Sequence, residues 1–144
     1  MKLVIQRVTE GSVTVDGSII GEIGLGYIVL LGVGENDTED TARQLADKLV
    51  KIRIFSDADG KTNLSIKDVD GEVLVISQFT LYADCKKNRP SFCHAGTPAM
   101  AEHLYEIFIE QLRPQVKRVA HGQFGADMLV RLCNDGPFTV LLEG

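Results

Sequence analysis

Val73-Leu74-Val75-Ile76-Ser77-Gln78-Phe79-Thr80-Leu81 is the stretch on which the fold turns. Its four leading apolar residues are bounded by the turn pair Asp70-Gly71, so they read as a buried strand over Glu72 to Ile76. The strand stops at Ser77 and hands a polar cluster to the surface. A second segment, Asn134-Asp135-Gly136-Pro137-Phe138-Thr139, reads as a turn between two more apolar runs, Met128 to Leu132 and Phe138 to Leu142. Strand ends with small or hydroxylated residues let a ligand approach the backbone, and amides there can stabilise an oxyanion. Two such ends predict one shared site.

Working outward, Leu3 to Val8 predicts a first strand, continued by Ser12 to Val15 past a bulge at Gly11. Asp16-Gly17 is a hairpin signal that returns the chain through Ser18 to Ile23. The unbroken run Tyr27-Ile28-Val29-Leu30-Leu31 predicts a strand covered on both faces. A helix follows, started by Asn36 with Glu39 or by Asp37 with Asp40, its buried stripe being Ala42, Leu45, Ala46, Leu49 and Ile52. Asp57-Ala58-Asp59-Gly60 is a tight turn, since the later ligands of a calcium loop are missing. Thr97 and Pro98 open the last long helix, buried along Met100 or Ala101, Leu104, Ile107, Phe108 and Leu112, with His103 on its wet side; Pro114 ends it. Val116 to Ala120 is one further strand.

These elements predict one compact α/β domain over residues 1–144: mostly antiparallel or mixed sheet, barrel-like, with two main helices packed outside. A chain of 144 residues buries roughly 68–70% of its unfolded surface, so it needs neither metal nor disulfide to fold. Cys85, Cys93 and Cys133 are odd in number and form no C-x-x-C pair, which fits reduced thiols in the cytoplasm. No run has the length of a signal region or a membrane span. A net charge of −5 argues against sequence-blind binding to a nucleic-acid backbone, DNA included, but not against gripping one RNA end.

The familiar catalytic signatures are absent: no G-x-S-x-G elbow, no Walker loop, no H-E-x-x-H. Gly21-Glu22-Ile23-Gly24-Leu25-Gly26 precedes a strand rather than a helix, so its glycines belong to turns. The three histidines are scattered, and neither a metal nor another cofactor is expected. What remains is Ser77, Gln78, Phe79 and Thr80, with the basic segment Lys86-Lys87-Asn88-Arg89-Pro90-Ser91-Phe92. Lys86, Lys87 and Arg89 can hold phosphate while Phe79 or Phe92 stacks on a base, or the segment is a solvated charge run beside a core phenylalanine. Thr80 is a nucleophile only if a base activates it, and none is paired with it in the sequence; a structural hydroxyl is the other reading. Arg7 is a surface arginine or the brace of a loop. Gly136-Pro137 is a plain turn or a rigid wall.

Taken together, the motifs resemble those of the D-aminoacyl-tRNA deacylases, also called D-tyrosyl-tRNA deacylases. The resemblance runs from Met1-Lys2-Leu3-Val4-Ile5-Gln6-Arg7-Val8 through Ser77-Gln78-Phe79-Thr80, Arg89-Pro90-Ser91-Phe92 and Phe124-Gly125-Ala126-Asp127-Met128 to Asn134-Asp135-Gly136-Pro137. It implies a homodimer with its sites at the subunit interface. Ser77, Gln78, Phe79 and Thr80 would line the pocket, and a glycine–cis-proline at Gly136-Pro137 would reach in from the partner. It also implies hydrolysis of D-aminoacyl-tRNA, extending to glycyl-tRNA, assisted by the 2′-hydroxyl of the terminal adenosine. From the residues alone, a Thr80-dependent small-ester hydrolase and an RNA-end-binding protein without turnover remain open.

Overall fold

The computed structural model describes residues 1–144. Its organising element is a first strand, β1 (Lys2–Val15), long enough to pair with three others. The last strand, β8 (Leu129–Glu143), runs antiparallel along one edge of β1, from Lys2 opposite Glu143 to Thr14 opposite Leu129. The other edge is divided. Lys2 to Val8 pair with β3 (Gly26–Gly32), and Gly11 to Val15 pair with β2 (Ser18–Ile23). Asp16 and Gly17 turn the β1–β2 hairpin at φ values of +48° and +78°, as the Asp-Gly pair predicts.

From β3 the sheet continues in parallel through β6 (Glu72–Ser77) and β7 (Arg118–His121). It curls until Gly21 of β2 meets the carbonyl of His121, where a side chain at position 21 would come within 3.1 Å. The result is a nearly closed, mixed barrel. Because β3 and β6 have both faces covered, alternate residues enter two cores. Ile28, Leu74 and Ile76 join Val8, Val13, Ile23 and Ala120 inside the barrel. Tyr27, Val29, Leu31, Val73 and Val75 face the helices α1 (Glu39–Lys51) and α2 (Pro98–Leu112). A small hairpin of β4 (Arg53–Ser56) and β5 (Thr62–Ser65) completes the domain, closed by the Asp57–Gly60 turn.

Four local expectations change. Thr38, not Asn36 or Asp37, caps α1, exchanging hydrogen bonds with Thr41, because Asp37 is occupied by the N-terminal ammonium and the Gly34 amide. The helix ends at Lys51, so Val50 rather than Ile52 completes its buried stripe. Tyr105 and Ile109 join the stripe of α2, where Ile107 is only partly buried; Thr97 stands at the cap position without a side-chain cap bond. Gly11 does not bulge: its missing side chain makes room for Ile28, while the irregularities of β1 lie between Gln6 and Val8, between Val8 and Glu10, and between Val13 and Thr14.

Several carboxylates are held below their ordinary range by donors. Gln111 and then Gln115 donate to Asp47, joining α1 to the end of α2. The Lys61 amide does the same for Asp57, the Ser65 amide for Asp68, and His103 followed by Arg43 for Glu39. A depressed folded pKa stabilises above the unfolded value and loses that contribution as pH falls through the folded one. Melting temperature should therefore be level from about pH 5 to 8 and fall steeply below about pH 4. Asp47→Asn should flatten part of that acid limb in a calorimetric series.

Candidate active site

The end of β6 is fixed by one last rung, the Gln78 amide donating to the Leu31 carbonyl at 2.7 Å. Gln78 then leaves the strand conformation (φ −145°, ψ 78°), and Phe79 to Tyr82 form a single 3-10 turn. The turn presents Phe79 to solvent at 55% exposure. It also places the Gln78 amide nitrogen 2.5 Å from the Thr80 hydroxyl oxygen, to which it donates. No histidine, lysine or carboxylate bonds to that hydroxyl, so Thr80 has an orienting partner and no activating base.

Ser77, Gln78 and Phe79 line a cavity of about 600 Å³. Its opposite wall is Phe124 to Met128 with Val130, and its floor comes from Val33, Ala95 and Gly96 at the foot of α2. Phe92 stands in the wall with its ring edge-on to Phe79, centroids 4.9 Å apart. Asp127 is the one charged residue of the lining. Lys86, Lys87 and Arg89 lie outside it, exposed on the loop that carries Phe92. That loop is pinched where Asp84 and Ser91 exchange backbone hydrogen bonds at 2.8 and 3.0 Å, and Lys86 leans on Asp84 at 3.7 Å. The aromatic end and the cationic end of the segment are thus separated, one in the wall and one at the rim.

Asn134 to Thr139 is not a hairpin turn. β8 runs through it, and the pairing with β1 steps from Val8 opposite Asn134 to Gln6 opposite Thr139. Asp135, Gly136, Pro137 and Phe138 are therefore pushed out across from Arg7 alone. Asn134 closes the base of this outward loop, accepting from the Phe138 amide at 2.8 Å and bonding to Gln6. The Gly136-Pro137 bond is cis, and Gly136 has a φ of +130°, in the region that favours glycine.

Arg7 is the one charged residue among the buried set, 8% exposed. It donates from Nε to the Asp135 carbonyl at 3.1 Å and from Nη1 to the Ile54 carbonyl at 2.6 Å. The Asp135 carboxylate lies 3.5 Å from Nε, and the Phe138 ring stacks under the guanidinium at 4.6 Å. A flat, permanently charged fork can satisfy carbonyls from two elements at once, which an ammonium cannot. Arg7 is thus a brace of the loop, not a surface arginine. None of Arg7, Gly136 and Pro137 lines the cavity of Ser77 to Phe79 in the same chain. Gly136 and Pro137 stand on the outer strand β8 with Leu129, Leu132 and Leu141, all exposed, while Arg7 lies buried on β1 behind them.

The family model described as D-Tyr-tRNA(Tyr) deacylase matches residues 4–143. The chain belongs to that family. Among D-aminoacyl-tRNA deacylases, those of Dehalococcoides mccartyi, Bacillus thuringiensis and Clostridium novyi are 54%, 51% and 50% identical to it. Each alignment covers 99% of this chain and 94%, 99% and 97% of those proteins respectively. A solved structure named c-Myc DNA Unwinding Element Binding Protein superposes with a TM-score of 0.95 at 43% identity, over 100% of this chain and 99% of that one. A probable eukaryotic D-amino acid tRNA deacylase shares the fold, with a TM-score of 0.85 at 18% identity, over 98% and 97% of the two chains. In this deacylase family member, sequence reasoning left the Phe124–Met128 wall without a role. Its local signal was a glycine turn, Gly125 at φ +75°, with nothing to say that the turn faces Ser77.

Proposed function

We infer that this chain hydrolyses the ester between a D-amino acid and tRNA, and glycyl-tRNA as well, in the cytoplasm as a check on translation. The observation that carries the mechanism is that the Thr80 hydroxyl, on the turn beside the cavity, is bonded to the Gln78 amide and to no base. Hydrolysis there falls to a group that the substrate brings, the 2′-hydroxyl of the terminal adenosine, with Ser77, Gln78, Phe79 and Thr80 orienting the ester. The cavity suits a nucleoside, since Phe79 and Phe92 offer aromatic faces and Asp127 repels phosphate. Phosphate is left to Lys86, Lys87 and Arg89 at the rim.

The second half of the site would come from another copy. An exposed loop at Gly136-Pro137, flanked by exposed leucines on an outer strand, suits a two-fold interface. A homodimer built there would bring Gly136 and Pro137 of one copy to the cavity of the other. The backbone would then fill one of the two directions open at the substrate's α-carbon. Hydrogen fits in that direction and an L side chain collides; a D side chain points to open space, and glycine passes either way. One relative's name refers to a DNA element, but a net charge of −5 favours contact with one RNA end over a duplex.

Purified protein assayed with D-, L- and glycyl-charged tRNA and with a small ester tests the reading. Rapid release from the D and glycyl substrates, with the L substrate spared, is expected. Turnover of the small ester that vanishes in Thr80→Ala would mean a threonine esterase, and RNA binding without turnover would mean an end-binding protein.

Contact with one RNA end should neutralise few phosphates, on the order of two to four, giving a shallow salt slope of roughly −0.7 per phosphate. Neutralising Lys86, Lys87 or Arg89 should weaken tRNA affinity without changing chiral preference. Unchanged affinity in all three variants would return the loop to a solvated face.

A further inference from the structure

We propose that Tyr82 is a positioning residue for the deacylation: its ring, seated on the bare backbone at Gly32 and Gly34, holds the turn that presents Gln78 and Phe79 to the cavity and keeps Thr80 beside them. The inference rests on reading that cavity as the reaction site.

The seat is defined by what glycine lacks. A Cβ on Gly34 would lie 2.7 Å from two carbons of the Tyr82 ring and 2.8 Å from its hydroxyl oxygen. One on Gly32 would lie 3.3 Å from the ring, and 3.0 Å from both the Leu81 side chain and the Gln78 carbonyl. The turn therefore rests on the exit of β3 with no side chain between. Around the ring, the Lys2 ammonium lies 4.9 Å from the centroid. Asp37 interacts with the phenol and accepts from the Gly34 amide at 2.6 Å. Burial first, then the charges of Asp37 and Glu143, pushes the phenol up to about 12, so it remains a neutral donor at physiological pH.

The same exit registers the facing wall. The Gly96 amide donates to the Val33 carbonyl at 2.9 Å and the Glu35 amide to the His94 carbonyl at 3.1 Å, fixing the loop that carries Phe92. Both aromatic walls are thus referenced to one short backbone segment, Gly32 to Glu35. Tyr82 joins the catalytic turn to it. A turn held by backbone contact to a rigid strand keeps its side chains in place for reaction, and a displacement of about 1 Å can cost about a hundredfold in rate.

The test is single-turnover and steady-state kinetics on D-aminoacyl-tRNA for Tyr82→Ala, Tyr82→Phe, Gly34→Ala and the double variant, with melting temperatures alongside. Tyr82→Ala should lower kcat by roughly 10–100-fold with KM within about threefold, since the loop cations and the nucleoside walls stay. Tyr82→Phe should retain kcat within about threefold, because the ring makes the seat. Gly34→Ala should reproduce the loss by forcing the ring off, and adding it to Tyr82→Ala should cost nothing more, since the group it strikes is gone. Unchanged kcat in Tyr82→Ala and Gly34→Ala, or losses that add in the double variant, would overturn the proposal. Gln78→Ala and Phe79→Ala separate it from the reading beneath: unchanged kcat in both removes the cavity as reaction site, whereas losses there with none at Tyr82 sink the positioning role alone.

Discussion

Arg7→Ala is expected to destabilise the protein by about 3 kcal/mol and to remove most of its preference for D over L esters. The stability loss follows from two charge-assisted hydrogen bonds to the carbonyls of Ile54 and Asp135, which would be left without their donor, and from the stacked Phe138 ring. The selectivity loss follows from what the guanidinium holds. Four residues stand out from β8 against one residue of β1, and Arg7 is the side chain that ties them down. Steric rejection needs a wall that does not yield. A clash of about 3–4 kcal/mol gives a discrimination of several-hundred-fold, and a loop free to retreat by a fraction of an ångström would forfeit most of it. Discrimination in the variant should fall toward roughly tenfold. Arg7→Lys should rescue little, because one ammonium cannot span both carbonyls. Matched D- and L-aminoacyl-tRNA kinetics with a denaturant melt check both parts. Wild-type selectivity in a destabilised Arg7→Ala protein would separate the brace from chiral choice and defeat the proposal.

A tRNA ending in 2′-deoxyadenosine should be hydrolysed at least about a hundredfold more slowly than its ribose counterpart, within the usual range for a positioned acid–base group. Thr80→Ala should by contrast stay within about tenfold of wild type. The two expectations come from one contact. The Thr80 oxygen accepts from the Gln78 amide at 2.5 Å, which orients the hydroxyl but cannot take its proton. An aminoacyl group trapped on Thr80, or full rates on the deoxy substrate, would restore a protein nucleophile.

The strands were legible because their signals are local. Tyr27 to Leu31 and Val73 to Ile76 are apolar at every position, and the structure uses both faces of each. The segment Asn134 to Thr139 was misread for a physical reason: asparagine, glycine and proline suit a hairpin and an outward loop equally. The difference lies in its register against β1, far away in sequence. Arg7 is a similar case. Its apolar neighbours hint at burial, yet its acceptor at Asp135 is 128 residues away. At the start of α1, Asn36, Asp37 and Thr38 are three acceptors in a row. Which one caps the helix depended on Gly34 and the N-terminus claiming Asp37. The polar end of β6 was readable at once, whereas the wall facing it is assembled from stretches that meet only in space.

The pairing of β1 with β8 also bears on how the chain is made. A ribosome releases β1 long before β8, so one whole edge of β1 waits, unpaired, for its mate. Until then β1 can rehearse only with β2 and β3, its near neighbours in sequence. Contacts of such separation carry a large loop-closure entropy and form late and slowly. A nascent chain that stalls before Leu129 would display a long, apolar, hydrogen-bond-hungry edge, the kind that recruits chaperones or other nascent copies. The loop at Gly136-Pro137 then finds its place only once β8 has paired with β1, so the chiral role proposed for it would arise late in folding.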